Sequence, residues 1–301
     1  MAHGHGFFIT AGGGERVWHE RRWRVASTAP LESRVCAVVD GRQTHGLSQP
    51  RHGVRAGVGQ VAKTARTTAL FDPIKVASFI TDRVLVGISG GKDSAVVLEL
   101  CSQHFKHVVG FFMHIVPGLG FQERILRYYE SRYGIEIIRT PHFMVSEFYR
   151  YGTFRPMDLD VPIVSTLEAY NYLREKTGIW WIACGERISD SIIRRAMIKS
   201  SGSVDKKRGR FYPIAYWRKE DVMDYIRVKK LKIGEESSKL GFSFRSLMPQ
   251  EIITIKEHYP ADYERIKQFF PLIETTIAHY KYNPAFYSHN KNNGGTTSDG
   301  E

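Results

Sequence analysis

From Thr67 onward, apolar runs alternate with amphipathic stretches in a regular order. Phe71–Ile80 has the spacing of a short helix, and Val84-Leu85-Val86-Gly87-Ile88 is a continuous apolar run, the pattern of a strand buried on both faces. Ala95, Val96, Leu98, Leu100, Cys101 and Phe105 then cover one broad helical face. The pattern predicts further strands over 107–116, 135–138, 179–184 and 210–214. Between them it predicts helices over 121–133, over 162–176 and from a Ser189-Asp190-Ser191 cap, and then a helix over 219–230. Strands alternating with helices imply an α/β, Rossmann-like fold: a parallel sheet of about five strands, joined by right-handed crossovers, with helices on both faces.

Outside that region the periodicity changes. Residues 233–281 predict a small helical appendage, with helices over 251–258 and 260–280 broken at Pro260. Residues 282–301, rich in Asn, Gly, Ser and Thr, read as a disordered tail. Residues 1–66 hold ten Gly, five His and ten Lys/Arg against four Asp/Glu, and read as a disordered basic extension, with Arg34–Val39 as a short strand lacking a partner. Residues 67–232 are thus expected to form the α/β domain.

Charge and cysteine content refine the picture without deciding it. The net charge of +12 splits evenly, +6 in residues 1–66 and +6 in the remainder, which carries 33 basic and 27 acidic residues. That balance suits a chain binding anionic nucleotides, and the basic arm adds an expectation of contact with nucleic acid. Three scattered cysteines (Cys36, Cys101 and Cys184) without a Cys-x-x-Cys pair argue for a reducing cytoplasm and against an iron–sulfur cluster or structural zinc. No apolar run reaches the ~20 residues of a membrane span.

The chemistry concentrates at Ser89-Gly90-Gly91-Lys92-Asp93-Ser94, between the first strand and the helix after it. Adjacent glycines let backbone N–H groups approach a ligand, a helix N-terminus presents unpaired amides, and Lys92 with two hydroxyls adds donors. The combination predicts a phosphate or pyrophosphate cradle, and the spacing matches neither a Walker A loop nor G-x-G-x-x-G. Met113-His114 and Gly185-Glu186-Arg187 stand at the ends of two other strands, where open parallel sheets bind ligands. Arg187, Arg194 and Arg195 could reach phosphate or sulfate oxygens, and His114 is either a core histidine or a nucleotide contact.

These residues resemble a known family. Ser89–Ser94 is similar to the pyrophosphate loop (PP-loop) of the ATP pyrophosphatases and their relatives, among them phosphoadenosine phosphosulfate (PAPS) reductases, sulfate adenylyltransferase small subunits and tRNA-thiolating enzymes. Gly185-Glu186-Arg187 with Asp190, Ser191 and Arg194 resembles a second block of the PAPS-reductase type. Phe211-Tyr212-Pro213-Ile214 through Trp217, Asp221-Val222 and Tyr225-Ile226 resembles a third, with Met223 where the family has Trp. The resemblance covers residues 80–232. It implies an adenine-nucleotide site made of Ser89, Gly90, Gly91, Lys92, Asp93, Ser94, His114, Gly185, Arg187 and Arg194. Lys92, Asp93 and Arg187 would be catalytic, with ATP and Mg²⁺ bound and Asp93 near the metal.

Two departures steer the expected reaction. The sequence has no cysteine after Cys184, where PAPS reductases carry their catalytic one, and His114-Ile115-Val116-Pro117-Gly118 stands where the family has Asp-Thr-Gly. The expectation is an ATP pyrophosphatase-type enzyme that cleaves ATP between the α- and β-phosphates and adenylylates an acceptor. That acceptor is left open among sulfate, a small molecule and a tRNA or DNA base. Alternatives are a sulfonucleotide reductase or sulfate adenylyltransferase-like activity, and a non-catalytic nucleotide-binding module, in each case with a homo-oligomer among the expected partners.

Overall fold

The structure is a computed structural model, and it describes residues 69–241, 244 and 246–282. The expectations for residues 1–66, including the basic arm and Cys36, and for the tail beyond 282 lie outside the described residues. All described residues belong to the Ala65–Glu301 unit of the chain.

A six-stranded sheet runs in the order β3-β2-β1-β4-β6-β5, with β1 Arg83–Gly87, β2 His107–His114, β3 Ile137–Pro141, β4 Ile182–Ala183, β5 Val204–Asp205 and β6 Arg210–Phe211. All pairings are parallel except β5 with β6, which adds one antiparallel edge to the expected sheet. The helices between strands are α1 Asp72–Ile80, α2 Lys92–His104, α3 Gly120–Tyr133, α4 Met144–Arg150, α5 Thr166–Thr177, α6 Ile192–Ser201 and α7 Lys219–Lys229. Four more follow the sheet: α8 Glu235–Leu240, α9 Pro249–His258, α10 Pro260–Phe269 and α11 Glu274–Tyr282.

The alternation along β1 divides the core. Val84 and Val86, followed by Ile88, join α1, α2, α3 and α7 in one cluster, while Leu85 faces a second with Phe111, Leu173 of α5 and Ile198 of α6. A strand segment buried on both sides must be apolar at every position, as Val84, Leu85 and Val86 are; Arg83 at the start of β1 is exposed.

Strand order reverses between β1 and β4, because the chain steps outward from β1 to β3 and then returns to the other side of β1. Ligands of open α/β sheets bind at such a switch point, beyond the carboxyl ends of the strands. Here those ends lead into residues 88–91 and 184–187.

Several elements are shorter than their sequence pattern. The β4 ladder is confined to Ile182–Ala183, and the Trp180 carbonyl before it accepts from Arg174 Nε (2.9 Å). Past Phe211 the Tyr212 amide continues in register toward β5, donating to the Ser203 carbonyl (2.9 Å), and Pro213, which has no N–H, follows. Helix α5 begins at Thr166 and not at Pro162, fixed by a capping box in which Ser165 and Glu168 satisfy each other's backbone amides. The helix expected over 260–280 is two helices, separated at Phe270 and Pro271.

The C-terminal helices are tied to the α/β domain by polar contacts as well as by packing. Asp262 of α10 accepts from the amides of Gly120 (2.6 Å) and Phe121 (3.2 Å), so it serves the open N-terminus of α3 from a distant part of the chain. Phe121 stacks against Tyr259, with ring centroids 4.8 Å apart.

Candidate functional site

The loop from Ser89 to Ser94 leaves β1 and enters α2 at the switch point. Only one of its two glycines uses the left-handed region: Gly90 has φ +76°, whereas Gly91 is extended and is the N-cap of α2. No side chain caps this helix, so the amides of its first turn face the loop. Asp93 and Ser94 lie inside the helix.

The two hydroxyls hold the loop to itself. Ser94 Oγ donates to the Gly91 carbonyl (3.1 Å) and accepts from the Ser89 amide (3.2 Å), while Ser89 Oγ donates to Ser94 Oγ (3.1 Å). Ser94 is buried and Ser89 exposed, so Ser94 braces the turn while Ser89 remains accessible from solvent.

Charge gathers on the opposite wall. Asp93 meets Lys92 Nζ at 2.8 Å and Arg187 Nε at 3.4 Å. Arg187 is 6% exposed, and its Nη2 and backbone amide both donate to Asp190 (2.7 and 2.9 Å). Asp190 also receives Arg194 Nη1 at 3.3 Å. Three cations thus share two carboxylates, leaving a net positive wall. Arg187 Nη1 is buried without a hydrogen-bond partner among the described residues, a donor open to an anionic oxygen. Both oxygens of Asp93 face cations, and no cluster of three or more His, Cys, Asp or Glu side chains suited to a metal occurs among the described residues.

Gly185 lies against the loop: a Cβ built on it would stand 3.6 Å from Asp93 Cβ and 3.8 Å from the Ser94 amide nitrogen. Those are ordinary van der Waals contacts, so the protein itself does not demand a glycine here. His114 ends β2. Its buried Nδ1 has no hydrogen-bond partner among the described residues, and the charges that bear on it belong to Glu123 and His142. Burial pushes its pKa down to about 4, which keeps the ring neutral.

One residue that the sequence pattern did not single out lies against the loop. Glu236, in α8, is fully buried, and its Oε1 would be 2.9 Å from a Cβ on Gly90. Neither carboxyl oxygen has a hydrogen-bond partner among the described residues, and burial raises its pKa to about 7. The same turn is fastened to the loop by the Gly234 amide, which donates to the Gly90 carbonyl at 2.6 Å. Glu186, within the Gly185-Glu186-Arg187 strand end, is a second buried acid: its Oε2 has no hydrogen-bond partner among the described residues, and burial raises its pKa, with Arg194 and Arg210 opposing the shift. Glu236 carries no sequence signal, because orphan status depends on what folds around it.

Of the cysteines among the described residues, Cys101 lies in α2 and Cys184 directly precedes Gly185. Cys101 and Cys184 are buried, and desolvation pushes both thiols well above their usual range.

A glycine-turned, serine-braced loop at the switch point of a parallel sheet, faced by buried arginine, defines a nucleotide-binding α/β protein of the PP-loop superfamily. The sequence matches the phosphoadenosine phosphosulfate reductase domain over residues 83–235, half of the chain, and the protein belongs to that family. No curated protein matches it. Solved structures to which it is similar include the U34-tRNA thiolase NcsA of Methanococcus maripaludis with its 4Fe-4S cluster. It is 15% identical, with 72% of this chain and 78% of that one covered and a TM-score of 0.40. An NH3-dependent NAD synthetase of Campylobacter jejuni is 16% identical (71% and 94% covered, TM-score 0.40). A phosphoadenylyl-sulfate reductase of Candida auris is 14% identical (65% and 97% covered, TM-score 0.42).

These comparisons correct the cofactor expectation of ATP and Mg²⁺ with no iron–sulfur cluster: the thiolase structure contains a cluster. Cysteine counting rules out four thiolates from one chain, but a cluster can take fewer or non-cysteine ligands, so the count was too weak a basis for exclusion. No helix among the described residues is long and apolar enough to cross a membrane.

Proposed function

We propose that this protein is an enzyme that binds ATP with its β- and γ-phosphates on Ser89–Ser94 and transfers the adenylyl group to an acceptor. An acceptor oxygen would form a bond to the α-phosphorus as the α–β phosphoanhydride bond breaks. Pyrophosphate leaves with the bonding electron pair, and the acceptor's proton passes to solvent. The observation that carries this reading is the placement of the loop opposite Arg187, with a buried, unpartnered Nη1, at the switch point of the sheet. The chain's part is positioning and charge neutralisation. Amides at the start of α2 and Lys92 hold the departing pyrophosphate. Arg187 neutralises charge that develops at the α-phosphate, Asp93 orients Lys92 and Arg187, and Arg194 supports Asp190. Gly185 leaves room for the nucleoside.

Sulfonucleotide reduction, the activity for which the family is named, is the second reading. It needs a thiolate to take the sulfonate. Cys101 and Cys184, the cysteines among the described residues, are buried with thiols held protonated, which favours the adenylyl-transfer reading.

Incubation with ATP labelled at the α-phosphorus and a pool of small-molecule and nucleic-acid acceptors tests the proposal. It predicts pyrophosphate release with the label moving to the acceptor, and loss of both in Lys92→Ala. Sulfite release from PAPS with added thioredoxin, or tight ATP binding with no α–β cleavage, would overturn it in favour of the reductase or of a binding module.

A further inference from the structure

The net charge of residues 67–301 is not spread over the domain. Between Ile192 and Arg210 there are seven Lys/Arg and one Asp, a net +6 equal to the entire net charge of residues 67–301. The remainder is neutral overall. Helix α6 contains no acidic residue and begins directly after Asp190, the carboxylate shared by Arg187 and Arg194. The chain then forms β5 and β6 at the outer edge of the sheet, with Lys206, Lys207 and Arg208 in the turn between them.

Most of these cations are exposed and uncompensated. Arg195, Lys199, Lys206 and Lys207 face solvent, and none has a carboxylate within ion-pair distance among the described residues. Arg208 pairs with Asp205 at 3.6 Å, and Arg194 with Asp190 at 3.3 Å. An ordinary solvated face interleaves both signs, and this edge does not. At the start of α6, Ile192 and Ile193 are 82% and 66% exposed, in sequence between Asp190 of the nucleotide wall and the exposed cations from Arg195 onward. Helix α6 spans roughly 15 Å at 1.5 Å per residue.

We propose that the edge formed by α6, β5 and β6 docks the phosphodiester backbone of a nucleic acid, whose unpaired base is the acceptor at the adjoining nucleotide site. The role assigned to the base rests on the adenylyl-transfer reading. The docking surface itself rests only on the charge distribution. A base must leave its helix to reach a crevice at the end of a sheet, and exposed isoleucines suit an unstacked base. The cations continue from the helix into the β5–β6 turn, as a strand-tracking surface requires, where a membrane-binding helix would keep them on one helical face.

The test uses the full chain and fluorescence anisotropy with three probes: a tRNA, a single-stranded DNA and a duplex DNA. Lys199→Ala/Lys206→Ala/Lys207→Ala removes three exposed charges from the edge. Lys75→Ala/Lys176→Ala/Lys281→Ala removes three exposed charges elsewhere, so any contribution from residues 1–66 is common to both. With about 0.7 counterion released per phosphate contact, the edge variant should weaken binding on the order of tens of fold near 0.15 M salt and lower the log–log salt slope by about 2. The control variant should change neither. Equal weakening in both variants, no change in the edge variant, or tighter binding to anionic lipid vesicles than to any nucleic acid would overturn the proposal. Which of tRNA and single-stranded DNA binds more tightly identifies the polymer. Both variants should retain ATP binding. Pyrophosphate release with small acceptors but no nucleic-acid binding sinks the docking surface alone, whereas edge-dependent binding without α–β cleavage sinks only the proposed reaction.

Discussion

Replacing Glu236 by Gln should stabilise the protein above neutral pH, although it adds no contact. The glutamate is fully buried against Gly90, with neither oxygen partnered among the described residues and a pKa raised from 4.5 to about 7. In the unfolded chain it ionises near pH 4.5; in the folded chain it stays neutral until about pH 7. Stability is therefore greatest below pH 4.5 as far as this group is concerned, falls as pH rises between the two values, and levels off beyond the upper one. A shift of about 2.5 units at 1.36 kcal/mol each makes the loss about 3 kcal/mol. Gln cannot ionise and has nearly the same shape. Urea unfolding of wild type and Glu236→Gln at steps from pH 4 to 8.5 should give curves that meet at the acid end and diverge to about 3 kcal/mol at the alkaline end. That corresponds to roughly 6–12 °C in melting temperature for a domain of this size. Parallel curves, or a Gln variant less stable at pH 8, would refute the reasoning and show that the carboxylate is compensated in the fold.

Other substitutions separate architecture from chemistry. Gly185→Ala places a Cβ in ordinary contact 3.6 Å from Asp93, so stability should change by no more than about 0.5 kcal/mol while ATP affinity falls at least about tenfold, read by calorimetry. Gly90→Ala should instead cost stability, on the order of 1–3 kcal/mol in thermal unfolding, because its φ of +76° and the Glu236 oxygen both oppose a side chain. Arg187→Ala leaves Asp93 and Asp190 without their buried partner. It should lose about 3 kcal/mol of stability as well as ATP binding, and Arg187→Lys should recover part of the first but little of the second, because lysine lacks the planar fork. In a Cys36→Ser chain, the native protein at pH 8 should react with a thiol-specific disulfide reagent only as fast as it unfolds, given that Cys101 and Cys184 are buried and held protonated.

The loop was legible in sequence because six residues of diagnostic type stand side by side after an apolar strand, and the chain itself sets their local geometry. Arg187, Asp190 and Arg194 were legible as a block through the family resemblance, but the way Asp190 gathers both arginines was not, because Arg187 and Asp190 lie in the turn before α6 and not on a helix whose spacing could be read. What each hydroxyl does was not. Ser94 reads as a ligand donor in sequence, yet the fold commits its proton to the Gly91 carbonyl. Glu236 was invisible because its environment is assembled by Gly90, Gly234 and α8 only after a long-range contact forms. Strand lengths were overestimated because an apolar run such as 179–184 reports burial and not ladder pairing, which β4 makes only at Ile182 and Ala183. The Ser165-x-x-Glu168 capping box, by contrast, was a readable helix start, and the pattern's Pro162 start overlooked it.

Exchange of labelled pyrophosphate into ATP tests the central claim most directly, because it requires reversible cleavage at the α-phosphorus on the Ser89–Ser94 loop. With nucleic acid or another acceptor present, the protein should catalyse exchange, and Lys92→Ala should abolish it without unfolding the chain. Release of orthophosphate with no exchange would place cleavage at the γ-phosphorus and contradict the account.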